Sequence, residues 1–239
     1  MGKRLILVLL AAFTALVPLK AQEADSVLVC GSEAFRAQQL IAPALLIGGG
    51  FAATYSPWFQ DNVNIPVRDY VVSRDFTPTK VDLVTCALPS AAYLGLDWIG
   101  ADARHSGKER IAAFTTALAL QQGMVQALKY TTSVMRPDGS TANSFPSSHT
   151  SMAFMGAELI RIEYGFWWGL GAYALATGTA LMRLYNNRHW VSDLFGGAGI
   201  GILSAQAAYW LLPLERRLLK WDTICIVPGE GGLALSIVF

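Results

Sequence analysis

The sequence predicts an all-α fold: a membrane-embedded bundle of six helices followed by a short C-terminal β-hairpin. Three observations predict it. Apolar stretches of helix length recur along the chain, each bounded by a short polar loop. Only 15% of the residues are charged and 53% are hydrophobic, against roughly a quarter charged in ordinary soluble domains. Strand-like patterning is confined to the end of the chain. At 239 residues there is room for one domain with small appendages. The apolar content excludes disorder. A formal net charge of +1 leaves no basic surplus for a nucleic-acid partner. Cys30, Cys86 and Cys225 lie too far apart for a zinc knuckle and are too few for a disulfide framework.

The elements follow in chain order. Lys3 and Arg4 precede an uncharged apolar run that lasts until Lys20, with a small residue at Ala21. That pattern predicts a signal peptide over 1–21, an uncleaved anchor being the alternative. Residues 22–39 are a polar lead-in, and the helical domain occupies 40–221. Its expected helices lie in 38–60, which is glycine-rich, then in 83–96 and 111–128. The fourth starts at 150 and continues through Glu158, Arg161 and Glu163. The last two lie in 165–182 and 194–214. Residues 222–239 hold two β-prone runs around Pro228-Gly229-Glu230-Gly231-Gly232, which predicts a hairpin.

Crossing a bilayer takes about 20 predominantly apolar residues. Residues 194–214 meet that test, and two other segments come close. The fourth helix meets it only if Glu158 and Arg161 turn toward the bundle, where their i,i+3 spacing lets them pair. The alternative is a compact all-helical periplasmic domain with a very apolar core.

The chemistry-bearing residues gather at three places, each at the edge of an apolar helix. Lys129 and Arg136 end one helix and enter a loop. Pro146-Ser147-Ser148-His149 directly precedes an apolar run, so it forms a helix N-terminus. Free backbone N–H groups there favour an anion. Arg183 ends the next helix, and His189 and Asp193 follow with the four-residue spacing of one helix face. A carboxylate behind an imidazole fixes its tautomer and raises its basicity. Cations, helix N–H groups and two histidines together suit phosphoryl transfer, where positioning and charge neutralisation dominate.

In these residues the chain resembles the type 2 phosphatidic acid phosphatase and vanadium haloperoxidase superfamily, in its bacterial lipid phosphatase branch. The family signature is Lys-x6-Arg-Pro, Pro-Ser-Gly-His and Ser-Arg-x5-His-x3-Asp. This chain reads KYTTSVMRP, PSSH and MRLYNNRHWVSD, from Lys129 to Asp193. The resemblance implies that His189 is the nucleophile of a phosphohistidine intermediate, oriented by Asp193, and that His149 is the general acid. It implies that Lys129, Arg136 and Arg183 hold the phosphate, with the Ser147 hydroxyl and the Ser148 backbone N–H completing the cradle. No metal and no cofactor are needed. Two positions depart: Ser148 stands for the family glycine and Met182 for the serine before the arginine. Neither change removes an ionisable group. A Cβ at Ser148 would crowd the site and would be strained if the backbone there had φ > 0.

The implied partners are a phosphorylated lipid and the membrane, with no nucleic acid and no obligate protein partner. The expected activity is hydrolysis of phosphatidic acid, phosphatidylglycerol phosphate, a polyprenyl diphosphate or lipid A phosphates. Arg104, Lys108, Arg110, Arg161, Arg216, Arg217 and Lys220 lie on the side away from the motifs, which directs the site to the periplasmic face of the inner membrane. A cleaved signal conflicts with six crossings, unless 38–60 does not cross or the whole domain is periplasmic. The alternatives are a soluble periplasmic acid phosphatase of broad specificity and a non-catalytic lipid-phosphate-binding membrane protein. A haloperoxidase is a further one, although the chain is small for that branch.

Overall fold

The computed structural model of the chain describes residues 35–219, together with the backbone of 223–229 and 232–238. The expected signal peptide and most of the polar lead-in lie outside the described residues.

A 3₁₀ turn, Ala37–Leu40, leads into helix α1, Ile41–Tyr55. Ser56 ends α1 in an extended conformation and caps the next turn, its hydroxyl accepting from the Phe59 N–H. A π-turn, Gln60–Asn64, continues into α2, Ile65–Ser73, which the periodicity does not predict. The stretch expected as the second bundle helix is broken into α3, Val81–Thr85, and α4, Leu88–Gly95, with a 3₁₀ turn at Leu96–Ile99. Pro89 explains the break: it has no N–H to offer the carbonyl four residues back. Four long helices follow: α5, Gly107–Thr132; α6, Ser148–Tyr164; α7, Phe166–Tyr185; and α8, Val191–Leu218. Strands β1, Thr223–Gly229, and β2, Gly232–Val238, pair antiparallel, with Thr223 opposite Val238 and Gly229 opposite Gly232.

Local chemistry accounts for the long helices. Ser106 and Glu109 form a capping box that starts α5, and Ser133, in the left-handed conformation, ends it. Gly165, at φ 90°, separates α6 from α7 at an angle a side chain would resist. Helix α6 runs through the middle and is buried along most of its length between α7 and α8. Glu158 on α6 is almost fully buried and accepts two bonds from Arg161, at 2.6 and 2.7 Å. Tyr173 of α7 and Gln206 of α8 donate to the same carboxylate. The i,i+3 pair thus faces the bundle, and its cost of burial is offset by four charge-assisted bonds.

The helices present two opposite ends. Tyr55 donates to the Thr132 carbonyl, which joins the C-terminal ends of α1 and α5. At the other end Glu163 accepts from the His105 backbone N–H and from Tyr209, which meets Tyr93 at 2.9 Å. His105, the third histidine, therefore belongs to this far end, where its Nδ1 lies 2.9 Å from Glu163.

Glycine allows the closest approach. A Cβ on Gly197 of α8 would lie 2.6 Å from the Ser147 carbonyl, so only glycine lets α8 meet the start of α6. That contact brings the second and third sequence motifs together.

Candidate active site

Four helix ends and two loops converge at one end of the bundle. Lys129 comes from the last turn of α5, Ser148 and His149 from the first turn of α6, and Arg183 from the last turn of α7. His189 lies in the connection before α8, and Arg136 in the loop after α5. These six line one cavity of about 410 Å³. All of them flank the charge-free stretches of their helices rather than interrupt them.

Backbone bonds hold the loops in register. The Ser144 N–H bonds the Val134 carbonyl and the Arg136 N–H bonds the Thr141 carbonyl, which folds the loop back on itself. The Ser147 N–H donates to the Asp193 carbonyl, and the Trp190 indole donates to the Met135 carbonyl.

Asp193 stands behind the cavity, fully buried. One of its oxygens, Oδ2, accepts from the Trp190 N–H at 2.8 Å and from the Ser144 hydroxyl at 2.5 Å, and faces His189 Nδ1 at 3.2 Å. The same carboxylate therefore caps α8 and holds the imidazole. With Nδ1 donating to Asp193, His189 Nε2 is left with its lone pair free for the cavity. Burial pushes the His189 pKa down to about 4, against the upward pull of Asp193, so the ring is neutral near pH 7. A neutral, oriented imidazole is what a nitrogen nucleophile requires.

Three cations face it. Lys129 Nζ donates to the Asn143 carbonyl. Arg183 is ion-paired with Asp82 of α3. Arg136 Nε and Arg183 Nε are buried with no hydrogen-bond partner among the described residues. Two guanidinium N–H groups left unpaired beside a polar cavity are donors suited to an anion. Ser148 is the first residue of α6, and the non-glycine residues with φ > 0 are Asp75, Ser133 and Asn187 among those described. Its N–H is thus a free helix-terminal donor, and its backbone carries none of the strain that the missing glycine could have caused. Ser147 is fully buried behind the wall, where its hydroxyl accepts from the Thr150 N–H and hydroxyl as the cap of α6. Met182 precedes Arg183 within α7.

Burial, then the Arg136 charge, lowers the Lys129 pKa to about 8. A group whose pKa is lowered keeps its charge only below that value. Inorganic phosphate is already a dianion there, so its binding should weaken as pH rises through about 8. Lys129→Arg, charged throughout, should hold the affinity level. Titration calorimetry between pH 7 and 9.5 checks this, and a flat parent profile would refute it.

The sequence motifs did not point to several neighbours. Asp82 pairs with Arg183, and Asn186 Nδ2 donates to Asp82 Oδ1 at 3.1 Å. Ser144 supports Asp193. Leu83, Gln126, Asn143 and Arg188 also line the cavity. Arg188 is paired with Asp138 across the mouth, at 2.9 Å. The one available signal for Asp82 is a lone carboxylate at the start of an apolar run.

Residues 110–217, which carry the whole signature, match the model of the PAP2 superfamily. A lipid A 1-phosphatase of Porphyromonas gingivalis is 40% identical over 143 residues, 58% of this chain and 32% of that protein. A putative undecaprenyl-diphosphatase of Escherichia coli K12 is 36% identical over 88 residues, 35% of this chain and 44% of that protein. The chain thus spans less than half the length of these curated relatives. A crystal structure of Aquifex aeolicus LpxE aligns with a TM-score of 0.47 and 22% identity, over 61% of this chain and 93% of that one. The segment 110–217, which supplies nearly all of the cavity wall, is thus similar to the PAP2 superfamily.

Proposed function

We propose that the chain is a phosphatase for phosphate groups carried on lipids, working through a phosphohistidine at His189. The observation that carries this is His189 itself. Its Nδ1 is held by buried Asp193, and its free nitrogen shares a cavity with Lys129 and with two arginines whose Nε–H groups are unpartnered. In the first step His189 Nε2 attacks phosphorus, and His149 gives its proton to the leaving lipid oxygen. In the second, His149 takes a proton from water, and the hydroxide so formed displaces the phosphoryl group from His189. Lys129, Arg136, Arg183 and the Ser148 N–H neutralise the charge on the three transferring oxygens throughout. These residues supply that neutralisation without a metal.

Lipid substrates are supported by two features. The relatives' names specify lipid A and undecaprenyl diphosphate, both lipid-linked phosphates. Among the described residues, two helices, Ala37–Tyr55 and the mostly buried Val191–Leu218, are long and apolar enough to cross a membrane. The apolar surface is banded by exposed aromatic residues: Tyr55, Trp58 and Tyr130 at the site end, Trp98, Trp167 and Trp168 at the far end. Such pairs of belts mark the two interfaces of a bilayer. The site then opens at one membrane surface, the periplasmic one in this reading.

Phosphate release by the purified chain from phosphatidic acid, phosphatidylglycerol phosphate, a polyprenyl diphosphate and lipid A tests the reading. Activity on at least one is expected, with competitive inhibition by vanadate and no loss in EDTA. Release from none of them would overturn the reading. Activity abolished by EDTA and restored by Mg²⁺ would overturn the metal-free mechanism.

A further inference from the structure

We infer that the hydrocarbon of the substrate leaves the phosphate cavity past Leu83 and lies along the outer face of α3 and α4, so that Leu83 sets the preference for lipid over water-soluble phosphates. This rests on the phosphatase reading and adds where the lipid part goes. Among the described residues, every side chain in the cavity wall is polar or charged except Leu83. An alkyl chain attached to a phosphate seated there therefore has one apolar way out. Leu83 is also 54% exposed, so it stands at the mouth and not in the floor.

The exit continues as an apolar stripe. Val81, Val84 and Leu88 are all exposed, Val84 to 61%. Their spacings of three and four residues keep them on one side of a helix. The turn between α3 and α4 stays close to helical, with the Ala87 N–H bonded to the Val84 carbonyl at 3.1 Å. Leu83 precedes Val84 directly, about 100° round the same helical turn, so the cavity mouth adjoins this exposed apolar stripe on the neighbouring face of α3.

The wall is also fixed in place. Asp82, next to Leu83, is buried and ion-paired with Arg183. Asn186 clasps Thr79 through two bonds of 2.9 Å and reaches Asp82 as well. The phosphate-binding arginine and the apolar exit are thus parts of one rigid unit, which places a lipid chain relative to its phosphate.

The test compares two esters of one class on the purified full chain in detergent: dioleoyl phosphatidic acid and glycerol 3-phosphate. Leu83→Asn should lower kcat/KM on the long-chain substrate about tenfold, the effect of losing one leucine's apolar contact. Because Leu83 lines the cavity, the readout is the ratio of the two substrates' kcat/KM values, which should shift about tenfold against the lipid. Val84→Asn, outside the cavity wall, should shift the ratio the same way more weakly and leave glycerol 3-phosphate hydrolysis within about twofold, and Leu83→Met should keep the parent's ratio. Equal losses on both substrates, or none on either, would overturn the inference while the phosphatase reading stood. A variant that dissociates a dimer without changing the substrate ratio would also overturn it, because the stripe would then be covered by a second copy. A parent inactive on both substrates would overturn this inference, and one inactive also on phosphatidylglycerol phosphate, a polyprenyl diphosphate and lipid A would sink the phosphatase reading with it. Thermal melting of each variant separates these outcomes from misfolding.

Discussion

Replacing His189 by alanine should reduce phosphate release to the uncatalysed background, a loss beyond the roughly 10²–10⁴-fold that a proton donor is worth. The reason is covalent. In the proposed mechanism His189 Nε2 carries the phosphoryl group between the two steps, and neither His149 nor Lys129 is held behind by a carboxylate in the same way. Rapid quenching into alkali should trap a phosphohistidine in the parent and none in the variant. A His189→Ala protein that turns over and still becomes labelled would overturn the assignment. A stability control goes with it. Because the folded-state pKa of His189 lies near 4, below the ordinary value of 6.5, the unfolded chain binds more protons between those values. That contribution is complete above about pH 6.5 and is lost as pH falls toward 4. The variant should show a flatter fall in melting temperature over that window.

The long helices were legible because each carries an apolar stretch of helix length with little or no charge. Their ends were less so: the capping box at Ser106 and Glu109 starts α5 at Gly107, ahead of the expected run 111–128. The stretch from 57 to 99 was less legible. Its helices are short, and Pro57, Pro66 and Pro89 sit at their first turns. Periodicity over so few residues does not separate one interrupted helix from three pieces. Tertiary anchors decide it: Asn64 donates to Ser192 across the bundle and Asn186 holds Thr79. Neither contact leaves a trace in local sequence.

The site divides along the same line. Six motif residues meet in one cavity, because fixed spacings at helix ends determine where side chains emerge. Asp193 and Ser147 sit behind the wall, and their spacings show why. Asp193 is the third residue of α8, where a carboxylate caps the helix, and Ser147 caps α6. Asp82 could not be read as a site residue. It reaches Arg183 only through the fold, from a helix 101 residues earlier in the chain. The polarity of the cavity wall is also a tertiary property, since Gln126, Asn143 and Arg188 are unremarkable in sequence and acquire a role only by facing the same space.

His149→Ala should lower kcat on lipid phosphates by about 10²–10⁴-fold, and by much less on an aryl phosphate of good leaving ability. Protonation matters most when the departing oxygen is a poor leaving group, so the two substrates separate acid catalysis from mere support of the fold. The pKa sharpens the expectation. Burial first, then the charges of Arg183, Arg136 and Lys129, push His149 down to about 4, with Asp82 opposing. The ring is therefore unprotonated in the free protein at neutral pH. It can still act as the acid if the proton arrives with the substrate. A phosphate monoanion entering the cavity can hand its proton to His149, leaving the dianion among the three cations. The parent's kcat/KM should then fall as pH rises through the substrate's second ionisation, near pH 6, and the optimum should be acidic. With the aryl substrate, which needs no acid, His149→Ala should lose that alkaline limb and keep most of its rate. Equal losses on alkyl and aryl substrates would mean that His149 binds or supports the site and does not donate a proton. A limb that persisted unchanged in the variant would mean that another group carries the proton.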